Sequence, residues 1–341
     1  MNNKKSKIIL SICIPTYNRP NHLENCLKAI QISQREVKKN FNFEVCISDN
    51  GSKHDILGVI NKFKKKFKIK FHRFPRNKGI TVNFLKAVDM AEGEFVWTIG
   101  NDDLLMPKTL NIISNLLKKY PKIDYYFINS YLLNLNFIKR FSHPFNTYNF
   151  PKKMQKFSQS KKYGILNFWS LIDPDVSFDF LLGMFVSMFR RKSWVENLKC
   201  LNKKNIKDKR WMSNFDNTCF NTMIFANAFK SSKAYLQNKP LCINIHGVRE
   251  WTKLYAFISI VRLPEILDYY RSRGMPFWQY IKCKNFALKN FAFFIGKILI
   301  SKDTRGIEYL SFYKHIIKNL IYPNVYFSLF FYIYQKIKSK L

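Results

Sequence analysis

Hydrophobic and polar positions along the first 120 residues switch between two periods. Ile8 to Ile14 is a short β-rich apolar run, and Leu23, Leu27 and Ile30 follow at the spacing of one helix face. Phe43 to Ser48 (FEVCIS) reads as a second strand, and a Lys-rich helix is expected over 56–66. Ile69 to Phe74 (IKFHRF) alternates apolar and polar residues, as a half-exposed strand does. The pattern is helical again over 81–91, with Gly93 as a stop, and Glu94 to Ile99 (EFVWTI) makes a fourth strand. Pro107 sits where the first turn of a further helix accepts it, and Pro121 ends that helix. Such alternation predicts an α/β fold with a mostly parallel sheet and helices on both faces.

Beyond this block the signal weakens. Tyr125 to Pro151 is rich in Tyr, Phe and Asn and has little periodicity. Leu181 to Phe189 reads as strand-like and leads into Arg190, Arg191 and Lys192. A helix is expected over 218–229 and strands over 233–245; after Trp251 the pattern is largely helical, basic and aromatic. No internal repeat or flexible linker is visible.

Composition narrows the function classes. The 341 residues are 47% hydrophobic, which excludes a disordered chain, and 11 Gly with 12 Pro exclude collagen-like and low-complexity readings. Lys and Arg number 58 against 22 Asp and Glu, a net charge of +36. That field attracts polyanions, although an AT-rich genome also inflates Lys, Asn, Ile and Phe together. No helix-turn-helix, zinc-finger or RNA-recognition signature appears and the lysines are dispersed, so a nucleic-acid partner is not expected. Seven cysteines, an odd number with no C-x-x-C spacing, argue against a zinc site or disulfide framework and for a reducing, cytoplasmic setting. The start imitates a signal peptide, but its apolar run ends at Pro15 with no small-residue cleavage site, so it is read as strand. No apolar run has the length of a spanning helix.

Polar residues gather at one kind of place. Thr16, Tyr17 and Asn18 follow strand one; Asp49 and Asn50 follow strand two; Arg76, Asn77, Lys78 and Gly79 follow strand three; Asn101, Asp102 and Asp103 follow strand four. In an open parallel sheet these strand ends share one edge, where ligands bind. The neighbouring carboxylates of Asp102 and Asp103 repel each other, and a divalent cation such as Mg²⁺ or Mn²⁺ relieves that. Capping of the helix that Pro107 begins is the structural alternative.

SICIPTYNRPNHLENCL, FEVCISDNGS and NKGITVNFLKAVDMAEGEFVWTIGNDDLLMP together resemble family 2 glycosyltransferases of GT-A fold, over roughly residues 8–120. The resemblance implies a Rossmann-like sheet with flanking helices and a C-terminal helical region. It implies a nucleotide-sugar-binding half (1–125), an acceptor-binding half (126–250) and a basic aromatic tail (251–341). By resemblance, Pro15, Thr16, Tyr17 and Asn18 pack around the nucleoside, and Asp49 contacts the base. Asn77, Lys78 and Gly79 lie beside the nucleotide. Asp103 is the preferred metal ligand, with Asp102 facing ribose or a metal-bound water. Many relatives carry Asp where this chain has Asn101, which leaves open how the triplet divides its roles and permits a catalytically inactive scaffold.

The implied reaction is a metal-dependent, inverting transfer from a nucleotide-sugar to a glycan hydroxyl in bacterial polysaccharide, lipooligosaccharide or lipid-linked oligosaccharide synthesis. A UDP-linked hexose or N-acetylhexosamine is the expected donor. Asp216 matches the general base ahead of a helix, with N-capping as its alternative; Asp179 is the next candidate, and Asp173 and Asp175 more distant ones. A late His and a late basic residue occur in some relatives, so His246 is a candidate metal ligand and Arg249 a candidate diphosphate contact. In the tail, the stretch VYFSLFFYIY followed by Lys336, Lys338 and Lys340 suits a helix lying on an anionic membrane surface, or one packed on the core.

Overall fold

The computed structural model describes residues 7–37, 41–210, 212–247, 253–300 and 305–338. Ten described strands share one sheet: β1 (Leu10–Thr16), β2 (Phe43–Asp49), β3 (Lys68–Arg73), β4 (Phe95–Thr98), β5 (Asp103–Leu105), β6 (Tyr125–Asn134), β7 (Gln155–Lys156), β8 (Gly164–Asn167), β9 (Ser187–Arg190) and β10 (Lys233–His246). Their order is β3-β2-β1-β4-β9-β6-β10-β5, with β7 on β6 and β8 on β10. The pairs β1–β2, β2–β3, β1–β4 and β6–β10 are parallel. Strand β9 runs antiparallel to both β4 and β6, so β6 and β10 point the same way as β1 to β4. The carboxyl ends of these six strands therefore lie on one edge.

The helices Pro20–Gln34, Ile56–Phe63, Ile80–Asp89 and Thr109–Lys119 match the apolar spacing of the sequence and bury Leu23, Leu27, Ile60, Phe84 and Ile113 against the sheet. β1 and β2 are buried along almost their whole length, as expected of parallel strands covered on both faces.

Four elements differ from the sequence reading, the first being β5, which opens inside the stretch read as the polar loop after strand four. β6 has no visible periodicity because its first six residues are all buried, so nothing alternates. The block from Leu181 passes through a turn and the short 3-10 helix Met184–Val186, and only Ser187–Arg190 pairs as strand. There the Asp179 carboxylate accepts from the Ser177 hydroxyl at 2.7 Å and the Gly183 N–H at 2.8 Å, while Phe180 and Leu181 take positive φ of 53° and 69°. The segment 233–246 is one strand rather than several, with a register shift between Gln237 and Cys242 around Pro240, which has no N–H to donate. After β10 come the helices Leu263–Ser272, Phe277–Ala287, Phe291–Ile300 and Pro323–Lys338, joined by shorter helical turns.

Candidate active site

Thr16, Asp49 and Arg73 stand side by side in register at the ends of β1, β2 and β3. Asp49 is fully buried. Its Oδ1 accepts from the Ser52 N–H at 3.1 Å and from the Ser52 hydroxyl. Its Oδ2 faces the Arg73 Nε at 3.4 Å but has no hydrogen-bond partner among the described residues. Arg73 also donates to the Ser52 carbonyl.

Asn18, at φ 53°, laces this turn to the first loop. Its N–H donates to Ser52 Oγ at 2.7 Å, and its Oδ1 accepts from the Lys53 N–H at 2.8 Å. Beside them opens a cavity of about 740 Å³ lined by Tyr17, Ser52, Lys53, Arg73, Phe74 and Arg76, among others. That volume suits a small organic ligand. Two flat rings and three cations suit one that is part aromatic and part anionic.

The Asn50 carboxamide holds the next wall. Its Nδ2 donates to Asn77 Oδ1 at 3.0 Å and its Oδ1 accepts from the Lys78 N–H at 2.8 Å. Gly79 donates its N–H to Asn77 Oδ1 at 2.8 Å and adopts φ +93°, which favours glycine, at the start of the helix Ile80–Asp89. Pro15 is half-buried within β1.

The Asn-Asp-Asp triplet divides its work. Buried Asn101 donates its amide to Thr16 Oγ1 at 2.8 Å, tying the fourth loop to the first. Asp103, only 2% exposed, opens β5. Its Oδ2 accepts from the Gly100 N–H at 2.6 Å, and its Oδ1 accepts from Asn244 Nδ2 at 2.5 Å. Both oxygens of Asp103, the expected direct metal ligand, are thus hydrogen-bonded inside the fold. Asp102 is half-buried, and no hydrogen bond engages its carboxylate among the described residues. With His22, Asn25 and Leu104 it lines a small hollow of about 40 Å³. Burial lowers the pKa of His22, against the opposing charge of Asp102.

This donor set fits a divalent cation of one kind. No described group of three His, Cys, Asp or Glu forms an all-protein cage. Mg²⁺ and Mn²⁺ sites of the type completed by phosphate oxygens need only one or two carboxylates, and Asp102 offers one. His246 is the exposed last residue of β10, two residues past Asn244, and the β5–β10 register carries it toward the Asn101–Asp102 turn. Arg249 lies outside the described residues.

The base candidates separate as well. Asp216 lies in the first turn of the helix Phe215–Phe229, accepting from the Asn202 N–H at 2.7 Å and from Asn205 Nδ2 at 3.1 Å. It is not the N-cap, which is Asn214. The same helix meets the helix that Gly79 begins, where Thr81 Oγ1 donates to the Asn217 carbonyl at 2.6 Å. Asp179 is committed to its turn, Asp173 pairs with Lys282 at 2.9 Å, and Asp175 is exposed.

Residues 11–177 match the model of Glycosyl transferase family 2. Over that stretch, just under half of its length, the chain is similar to glycosyl transferase family 2 domains. It is 37% identical over 112 residues to the abequosyltransferase RfbV of Salmonella typhimurium, covering 32% of this chain and 33% of that protein. It is 30% identical over 161 residues to the uncharacterized glycosyltransferase MJ1057 of Methanocaldococcus jannaschii, covering 46% of this chain and 51% of that protein. The matches thus span between about a third and a half of these relatives' lengths. The fold resembles that of S. aureus TarS 1-349 in complex with UDP-GlcNAc, with a TM-score of 0.57 and 15% identity over 88% of this chain and 78% of that one. The fold is of GT-A type.

Several site residues escaped sequence reasoning. Arg73 ends the apolar face Ile69–Phe71 of β3, a charge in an apolar register that could have drawn notice. Asn244 is likewise a polar residue inside an apolar strand. Ser52 and His22 carry no such signal.

Proposed function

We propose that this chain transfers one sugar, with inversion, from a nucleotide-sugar to a hydroxyl of a glycan acceptor, using Mn²⁺ or Mg²⁺. The observation that carries this reading is the delivery of Asp49 and Asp102 to one sheet edge, beside a cavity rimmed by cations.

In this reading Tyr17 and Phe74 flank the base, and the unpartnered oxygen of Asp49 accepts from it. Lys53, Arg73 and Arg76 draw in the diphosphate. Asp102, with His246 at the neighbouring strand end, would hold the cation, which supplies charge neutralisation for the departing diphosphate. Asp216 takes the proton from the acceptor hydroxyl, and a single displacement inverts the anomeric carbon. UDP as the nucleotide is favoured by the UDP-GlcNAc complex of S. aureus TarS, which shares the fold. A bacterial surface glycan as acceptor agrees with the relative named as an abequosyltransferase.

A thermal-shift screen of UDP- and GDP-sugars with Mn²⁺, followed by turnover assays, tests the reading. A donor that raises Tm only with metal, and is then consumed, supports it. A folded chain that neither binds nor consumes any of them ends it.

A further inference from the structure

A helix on a globular surface normally turns its apolar stripe inward. The helix Pro323–Lys338 does the reverse. Its buried residues are Val325 and Ser328, seated against the helix Phe291–Ile300, where Ser328 Oγ accepts from the Ala292 N–H at 3.0 Å. Phe327, Phe330 and Phe331 are 67%, 69% and 61% exposed. With Tyr334 they recur at i, i+3, i+4 and i+7, so they form one outward stripe. Lys336 and Lys338 close the helix, Lys336 lying 5.8 Å from the Tyr332 ring centre.

The 16 residues of this helix give it a length of about 24 Å. No described helix is long and apolar enough to cross a membrane. Two covers are physically available for the stripe. A second copy would bring +36 against +36. An anionic bilayer attracts that same charge and offers acyl chains to the aromatic rings.

We propose that the helix Pro323–Lys338 lies in the interface of an anionic bilayer. Phe327, Phe330 and Phe331 enter the acyl boundary, and Lys338, one turn beyond Tyr334 on the same side, extends its ammonium to headgroup phosphates. This deepens the catalytic reading, because it would bring the site to a lipid-carried acceptor, but the docking itself needs no turnover.

The test is co-sedimentation of the full chain with phosphatidylcholine vesicles, with and without phosphatidylglycerol. Binding is expected only with phosphatidylglycerol, weaker by about tenfold or more in a Phe327→Ser/Phe330→Ser/Phe331→Ser variant of unchanged Tm. Lys338→Gln should weaken it by about fivefold. Equal binding to both vesicles, or binding untouched by the triple change, overturns the proposal. So does a wild-type dimer, seen by light scattering, that ignores vesicles and is dispersed by the triple change. A folded chain that binds vesicles but consumes no nucleotide-sugar sinks the catalytic reading alone; an active chain that ignores vesicles sinks this one alone.

Discussion

Across the antiparallel pair β5–β10, the Asn244 side-chain amide donates to Asp103 Oδ1 at 2.5 Å. With the Gly100 N–H on Oδ2, this bond turns the inner acid of the pair into a clamp on the loop. The outer acid, Asp102, is left for the rim.

Asp102 and Asp103 should therefore fail differently. Asp102→Asn is expected to lower turnover by about a hundredfold or more with Tm little changed. Asp103→Ala strands the Asn244 amide and the Gly100 N–H, and should cost roughly 2–3 kcal/mol of stability. Calorimetry beside kinetics decides; a stable, inactive Asp103→Ala with an active Asp102→Asn would restore the original preference.

In the proposed site, the Asp49 oxygen that faces Arg73 and has no hydrogen-bond partner among the described residues accepts from the ligand. Asp49→Asn replaces an acceptor with a donor or leaves the charge of Arg73 unbalanced. Nucleotide affinity should fall by about tenfold or more by titration calorimetry. Unaltered affinity would place the nucleotide elsewhere.

The two rival base residues separate by stability. Asp179→Ala removes the acceptor that holds the turn through Phe180 and Leu181, and should lower Tm while the folded fraction keeps its turnover. Asp216→Asn should retain most of its stability and lose kcat. Kinetics normalised to folded protein would expose an exchange of these roles.

Glu265 sets an acid limit on stability. It is buried with Arg262 and His315, which donates from Nε2 across 3.1 Å, and it also receives Lys314. Burial opposes its charge, but the His315 hydrogen bond and the Arg262 and Lys314 charges win and hold its pKa at about 2, below the ordinary 4.5. A depressed carboxyl contributes its stability above about pH 4.5 and loses it as pH falls toward 2. Acid unfolding of Glu265→Gln, followed by circular dichroism, should show a flatter slope across that window; an unchanged slope refutes the assignment.

Local pattern alone located β1 to β4 and the four helices of the first 120 residues, though not β5, because β-α-β units are built from short-range periodicity. It failed at β6, whose first six residues are all buried, and at Leu181, where a side-chain-stapled turn overrides an apolar run. The loops bearing Asp49 and the acidic pair were legible for the same local reason. Which of the two acids is hydrogen-bonded inside the fold was not. Neighbours in sequence leave a strand end toward opposite surroundings, and Asn244, which claims Asp103, lies 141 residues away.

The sequence by itself determined which residue types stand after each strand, the excess of positive charge and the apolar character of the last helix. Only the tertiary structure decided which carboxylate is engaged inside, which faces the rim, and which side of that helix is left uncovered. These outcomes depend on long-range pairing, in which a distant strand or helix takes one side chain as its partner and leaves the next to solvent.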